Sequence, residues 1–397
     1  MPNRKFQADN IFTGYEMLDK NHVLITNDEG IIIEIVNEIN AGENIQTLKG
    51  LLSPGFINCH CHLELSHMKN LIPEKCGLID FVLKVVTQRN FPEEEIIDAI
   101  AKAENEMLQN GIVAVGDICN NNFTLQQKNK QQLNYNNFIE VSGWHPTAAQ
   151  KRFEHAIEIY NQFNQLPKIN NQISIVPHAP YSLSEELWQR ITPYFKNKVV
   201  SIHNQETFFE DEFFLSGRGD FINLYKAMKI ENDFFKPSGR SSLQTYFSKL
   251  AKAKNIILVH NTFTKKKDIE FANHRSTINK QNLFWCLCVN ANKYIEDAIP
   301  PIELLKQFNC NIIIGTDSLA SNWSLNILDE IKTIQNNFAS ISLKEILQWA
   351  TINGAKALQM DEKLGSFEEG KKPGIVLIDG LKNKNEISEI STAKRIM

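Results

Sequence analysis

Two histidines one residue apart, His60 and His62, follow the apolar run Leu51-Leu52-Ser53-Pro54-Gly55-Phe56-Ile57-Asn58. On a β-strand, residues i and i+2 project from one face, so both imidazoles can grip a single ion. Such a pair met alone is more often coincidence. Here three further histidines close similar β-branched runs: His178 in Pro177-His178-Ala179-Pro180-Tyr181, His203 in His203-Asn204-Gln205-Glu206, and His260 before Asn261. Asp317, in Thr316-Asp317-Ser318, closes a fifth. Half of the ten histidines thus fall at run ends, whereas His22, His155 and His274 are scattered. Three neutral imidazoles and one carboxylate suit Zn²⁺ or Fe²⁺ and leave a position for a water whose pKa falls toward ~7. The expected ligands are His60, His62, His203 and Asp317 around one divalent ion, zinc ahead of iron. Glu206, three residues beyond His203, is placed to shuttle a proton between that water and a substrate, a role that typically contributes ~10²–10⁴-fold. His260 would hold the hydroxide and a developing alkoxide, and Asp317 would take the water proton.

These residues need elements that bring their ends together. Eight short β-branched runs occur at residues 55–62, 112–119, 138–144, 173–181, 199–205, 256–262, 283–290 and 311–318. Amphipathic stretches lie between them, among them 93–109, which follows Pro92 and stops at Asn110-Gly111, and also 184–195 and 301–308. Repeated βα units predict a parallel sheet, and eight of them predict a (β/α)8 TIM-like barrel whose catalytic groups sit at the C-terminal strand ends. The two termini carry shorter β-like segments with turn signals at 27–30, 40–42, Gly365, Gly370 and Pro373-Gly374. The expected organisation is a small β-sandwich built from residues 1–52 and 359–397 around a catalytic barrel of residues 53–358. The Asn/Gln-rich stretch 120–137 reads as a surface loop and helix.

Composition restricts the function classes. The chain has 397 residues, 42% hydrophobic and 22% charged, enough to bury a sizeable core. A net charge of −4 argues against nucleic-acid and anionic-membrane partners, and the Lys265-Lys266-Lys267 run reads as a solvated helix start. The N-terminus has no signal-peptide pattern, and no apolar run approaches the ~20 residues of a membrane span, so a cytoplasmic location is expected. Seven cysteines without a CxxC pair read as reduced core residues. GxGxxG, GxxxxGK[ST], GxSxG and HExxH motifs are absent, which removes support for dinucleotide, P-loop, serine-hydrolase and zincin chemistry.

The segment Pro54-Gly55-Phe56-Ile57-Asn58-Cys59-His60-Cys61-His62, the His203…Glu206 pair, His260 and Gly315-Thr316-Asp317-Ser318 together resemble the amidohydrolase superfamily. The branch most similar is the chlorohydrolase, cytosine deaminase and S-adenosylhomocysteine deaminase group, with aminodeoxyfutalosine deaminase-like members. Asn353-Gly354-Ala355-Lys356-Ala357-Leu358 and residues 364–372 resemble that family's closing segment, so the likeness spans nearly the whole chain. The resemblance implies a TIM-like barrel with a β-sandwich from both ends, one divalent metal and hydrolytic deamination, with His178 as a substrate contact. Three departures stand out. The closing segment reads Pro373-Gly374 where Ala-Asp is usual. Strand seven reads Cys288-Val289-Asn290-Ala291-Asn292 where Cys-Pro-x-x-Asn is usual. Strand four carries His178 where binuclear relatives carry a bridging lysine, which favours a single metal.

The leading expectation is therefore a hydrolytic aminohydrolase acting on a small-molecule N-heterocycle. The alternatives are a cyclic-amide or chloro-heterocycle hydrolase using the same site, and a catalytically silent barrel serving as a binding or assembly protein. A homo-oligomer is compatible with either. Glu64 and His67 could line the pocket or cap the loop after His62, and His145 reads first as part of a turn. Between His203 and His260 lies a long excursion rich in aromatics: Phe208, Phe209, Phe213, Phe214, Phe221, Tyr225, Phe234 and Phe235. Part of it should be core. The remainder could form an aromatic lid over a flat ring, with Arg218 or Arg240 pairing with a substrate anion, which favours an adenosine-type nucleoside with a bulky 5′ substituent over a free base.

Overall fold

A computed structural model describes residues 3–383 and 386–397. All eight expected runs are strands: β1 (Phe56–Cys61), β2 (Ile112–Cys119), β3 (Asn134–Val141), β4 (Asn171–Pro177), β5 (Val199–Asn204), β6 (Asn255–His260), β7 (Asn282–Leu287) and β8 (Asn311–Ile314). β1 to β4 form one parallel sheet in sequential order, and β5 to β8 form a second. Hydrogen bonds also link the two sheets. His203 N donates to His178 O at 2.9 Å where β5 meets the end of β4, and Thr316 N donates to His60 O at 3.0 Å where β8 meets β1. Side chains on both faces of these strands are buried, which explains why the runs read as nearly continuous apolar stretches.

The helices follow their sequence signals. Glu93–Gln109 carries three glutamates in its first turn, favourable against the helix dipole, and buries Ile96, Ile100, Ala103 and Met107. Ser184 caps Glu185–Ile191 by accepting from Leu187 N. The lysine run starts the Lys266–Ile278 helix, as its charge suggested.

Terminal segments build two further sheets. One combines Arg4–Gln7, His22–Thr26, Ile32–Asn37 and Ile45–Thr47, and the other combines Asn10–Phe12, Met17–Asp19, Leu51–Pro54, Ile375–Asp379 and Thr392–Arg395. Leu51–Pro54 pairs antiparallel with Ile375–Asp379, so strand structure resumes directly after Pro373-Gly374. The chain then passes into β1 through Gly55, where a Cβ would lie 2.3 Å from Val113 Cγ1 and 2.7 Å from Pro373 O, a space that only glycine fits.

The stretch 120–137 departs from expectation. It holds only the short helix Leu125–Lys128 before β3 begins at Asn134, and Lys128 is fully buried rather than solvated. Its ammonium pairs with Asp117 on β2 and contacts Cys119 Sγ at 3.2 Å. Asp117 in turn accepts from Leu63 N at 2.8 Å, which pins the backbone immediately after His62. A buried carboxylate must be paired, and here the pairing also fixes the site. All seven cysteines are free, and five of them, Cys59, Cys61, Cys119, Cys286 and Cys288, are buried.

At Gly315 a Cβ would lie 2.8 Å from His60 Cβ and 2.9 Å from its backbone nitrogen. Gly315→Ala is therefore expected to destabilise the fold by about 1–3 kcal/mol, the usual range for overpacking, and to displace His60. Thermal denaturation of metal-free protein together with a zinc-binding titration checks this, and unchanged values in both would contradict it.

Candidate active site

His60 and His62 leave β1 two residues apart, and their Nε2 atoms stand 3.2 Å from each other. Asp317, two residues beyond Gly315, places Oδ1 at 3.6 Å from His60 Nε2 and 3.3 Å from His62 Nε2. His203 closes the set, its ring centroid 4.9 Å from that of His60 and 5.5 Å from that of His62. A ligand atom from each of these three histidines lies within 4.8 Å of the others. Asp317 reaches its position with φ 58°, a left-handed backbone that a non-glycine residue adopts at a cost, and Ser321 Oγ holds its Oδ2 at 2.7 Å.

Electrostatics favour a cation at this point. Burial first, then His178 and His60, push the His203 imidazole down to about 3, and burial likewise holds His62 well below its ordinary value. Burial alone would raise Asp317, but the His60, His62 and His260 rings hold it well below the carboxylate range. At neutral pH the cluster therefore presents imidazole lone pairs and an anionic oxygen to one another. A tetrahedral zinc spaces its ligand atoms by about 3.3 Å, so the separations between His60, His62 and Asp317 fit one ion. His203 Nδ1 donates to His178 O at 2.7 Å, which fixes its tautomer and leaves the Nε2 lone pair available to a metal.

Glu206 lies beside this cluster, 4% exposed. Burial, followed by the neighbouring Asp317, Glu296 and Glu210, holds its carboxyl well above the usual range. His260 Nε2 faces its Oε1 at 3.5 Å. The Asn292 amide nitrogen donates to His260 Nδ1 at 3.1 Å, so the ring proton sits on Nε2, pointing toward the Glu206 side. His260 also has a positive φ, 70°, which aims the ring across the strand end. Asn292, in the divergent strand-seven segment, thus has a defined role that its sequence alone did not reveal.

A cavity of about 230 Å³ opens over these groups. His62, His178, His203, Glu206, His260 and Asp317 all line it. His178 Nδ1 is tied to Ser182 Oγ at 2.9 Å. Glu64 lines it too, its Oε2 accepting from Asn120 N at 2.9 Å and Asn121 N at 3.2 Å while its buried Oε1 has no hydrogen-bond partner. Burial raises this carboxyl to about 7 against the opposing pull of Arg89, whose Nη2 stands 3.5 Å away. His67 instead bonds Arg89 O, and His145 caps the turn Pro146–Ala148, as its context suggested.

Residues 51–396 match the amidohydrolase family. This chain belongs to that family. Its relatives include a 5-methylthioadenosine/S-adenosylhomocysteine deaminase of Thermoanaerobacter pseudethanolicus, 22% identical over 88% of this chain and 79% of that protein. Among solved structures, a Helicobacter pylori aminofutalosine deaminase in complex with methylthio-coformycin superposes with a TM-score of 0.79 at 22% identity, covering 96% of this chain and 94% of that one. A Xanthomonas campestris adenosine deaminase with bound zinc superposes with a TM-score of 0.72 at 20% identity, covering 94% and 84%. These likenesses establish a shared fold.

Two expectations about this amidohydrolase's pocket need correction. Arg218 is exposed in the turn after the Phe209–Ser216 helix and does not line the cavity, because Gly217, at φ 74°, turns the chain away. The cavity's arginines are Arg89 and Arg152. Most of the aromatic excursion is a second small core rather than a lid: Phe213 stacks on Phe235 at 4.3 Å, and Tyr181 on Phe221 at 4.1 Å. Of the aromatics expected there only Tyr225 reaches the cavity, stacked at 5.1 Å on Trp144. Arg89 carried no sequence signal, since it meets Glu64 only through the fold. Glu140 did carry one, an acidic residue within the apolar run of β3.

Removing Asp317 as Asp317→Ala is expected to cost a ligand without opening the fold. Metal analysis after dialysis should show bound zinc falling well below the wild-type content while the far-ultraviolet spectrum is unchanged. Wild-type zinc retention would remove Asp317 from the ligand set.

Proposed function

We propose that this amidohydrolase is a hydrolytic deaminase that replaces an exocyclic amine on a nitrogen heterocycle, an adenosine-type nucleoside, by a carbonyl and releases ammonia. The relatives' named activities and the site geometry support the same reading. The observation that carries it is Glu206, a buried carboxyl that shares the cavity wall with His62, His203 and Asp317, faces His260 Nε2 at 3.5 Å and is pushed by burial well above the usual carboxylate range. An amine on a C=N carbon becomes a leaving group only if the adjacent ring nitrogen is protonated, and a carboxyl that burial makes slow to ionise can supply that proton.

His60, His62, His203 and Asp317 would hold one zinc ion. When bound, the ion supplies Lewis acidity and a water that ionises near neutral pH. Glu206 donates to the ring nitrogen as the C–O bond forms, then carries a water proton to the departing amine as the C–N bond breaks. His260, its proton on Nε2, donates to the oxygen that arrives at the attacked carbon. Asp317, ionised, accepts the remaining water proton. A second convergence, of Glu140, His178 and His203, offers no comparable site because His203 Nδ1 is already committed to His178 O, so we favour a single metal.

His178 and Glu64 would contact the substrate, Glu64 through Oε1, which takes part in no hydrogen bond and has Arg89 Nη2 3.5 Å away. Leu78, Phe81, Val82 and Val85 on the Gly77–Gln88 helix, with Trp144 and Tyr225, give the cavity an apolar wall running outward from the metal cluster. That wall suits a 5′ substituent as in adenosylhomocysteine, methylthioadenosine or aminodeoxyfutalosine better than a free base. The structural setting we infer is a closed barrel of residues 53–358 flanked by a sandwich of residues 1–52 and 359–397. Unpaired cysteines favour a reducing, cytoplasmic setting.

Ammonia release from these nucleosides, compared with adenosine, guanine and cytosine, tests the substrate class. A free base turned over with a higher kcat/KM than every nucleoside would overturn it. Glu206→Gln should bind zinc normally and turn over at least ~10²-fold more slowly, since the amide keeps the shape and loses the proton. Steady-state kinetics on zinc-replete protein decide this, and a near-normal rate would move the shuttle elsewhere, with Glu64 next.

A further inference from the structure

Glu206 depends on a backbone that does not hold itself in place. Gln205, immediately before it, has φ 45°, a left-handed conformation that a residue with a Cβ adopts only when its surroundings enforce it. What enforces it is a buried polar cluster behind the site, none of whose acids lines the cavity. Glu210, fully buried, accepts from Gln205 N at 3.1 Å and from Ser242 Oγ at 2.6 Å through Oε1, and from Glu206 N at 3.3 Å through Oε2. The Gln205 side chain is fixed separately. Its Nε2 donates to Asp211 Oδ1 at 3.0 Å and Asp268 Oδ2 at 3.1 Å, and its Oε1 accepts from Thr264 Oγ1 at 2.8 Å. Asp268 also accepts from Ser241 Oγ and Gln244 Nε2.

Three buried acids around one glutamine are an expensive way to end a strand. Lys265 is the cation paired with the cluster, at 3.0 Å from Asp211, and that side chain is largely exposed. A well-packed apolar turn would be more stable, so the arrangement points to geometry rather than stability as its reason. It also gives the long excursion between β5 and β6 a purpose, because Ser241 and Ser242 return from it to brace the acids at the end of β5.

We infer that Glu210 is a positioning residue that holds the Gln205–Glu206 backbone so that the Glu206 carboxyl meets the substrate and His260. The inference rests on the proposed shuttle role of Glu206. In Glu210→Gln the side-chain shape is kept, but one of its two ends must present an NH₂ to a backbone N–H, so either Gln205 or Glu206 loses its acceptor.

The test is a double-mutant cycle on zinc-loaded full-length protein, using the nucleoside turned over fastest. Glu210→Gln should lower kcat at least about tenfold with KM within about twofold and bound zinc unchanged, as expected for a misplaced acid. Added to Glu206→Gln it should lower kcat no further, because its effect runs through Glu206. A kcat within twofold of wild type, a loss that tracks zinc content or KM, or a full additional loss in the double variant would each overturn the inference. If Glu210→Gln does not fold, Ser242→Ala decides. It removes one anchor of Glu210 and should lower kcat roughly threefold with KM unchanged, and a wild-type kcat there would overturn the inference. A Glu206→Gln variant that keeps a normal rate sinks the shuttle itself, whereas a slow Glu206→Gln beside a normal Glu210→Gln sinks only the positioning role.

Discussion

Imidazole nitrogens and a carboxylate oxygen directed at one another a little over 3 Å apart, away from water, form an arrangement that a cation reconciles. Without one, His60 Nε2 and His62 Nε2 share a proton at best, and Asp317 is left with imidazoles that burial keeps neutral. Much of the surrounding structure serves this convergence. Gly315 allows β8 to approach His60, Asp117 and Lys128 pin the chain after His62, His178 O orients His203, and Ser321 steadies Asp317. The residues that fix the cluster come from three different strands and the loops after them, which a parallel sheet delivers to one end.

The same dry environment that favours a metal also sets the acid chemistry. Desolvation penalises whichever form of a group is charged, so it pushes His62 and His203 down and Glu206 up with no contradiction between them. Asp317 is shifted the other way, because the His60, His62 and His260 rings around it outweigh its burial. Two carboxyls lining one cavity are thus shifted in opposite directions, the division of labour a proton-transfer reaction needs.

The sequence made the central cluster legible because strand periodicity and C-terminal placement are local rules: His60, His62, His203, His260 and Asp317 could each be located from the run that precedes it. Strand boundaries were off by a few residues. The pocket beyond the metal was far less readable. Arg89 reaches Glu64 across a loop, a helix and a turn, and Lys128 lies buried in a stretch whose polar composition pointed to the surface. The aromatic excursion misled for a related reason, since its rings pack on one another and on Trp144, which sequence spacing does not bring near them. Glu210 and Asn292 act through partners on other elements, so no periodicity announces them.

The most direct test of the account is the fate of solvent oxygen. The zinc-loaded protein, supplied with an adenosine-type nucleoside in ¹⁸O-labelled water, should yield one equivalent of ammonia per product molecule and a product with an intact ring that carries a single ¹⁸O at the former amine carbon. A ring-opened product, or turnover with no ammonia, would contradict hydrolytic deamination and assign the cluster to a different bond.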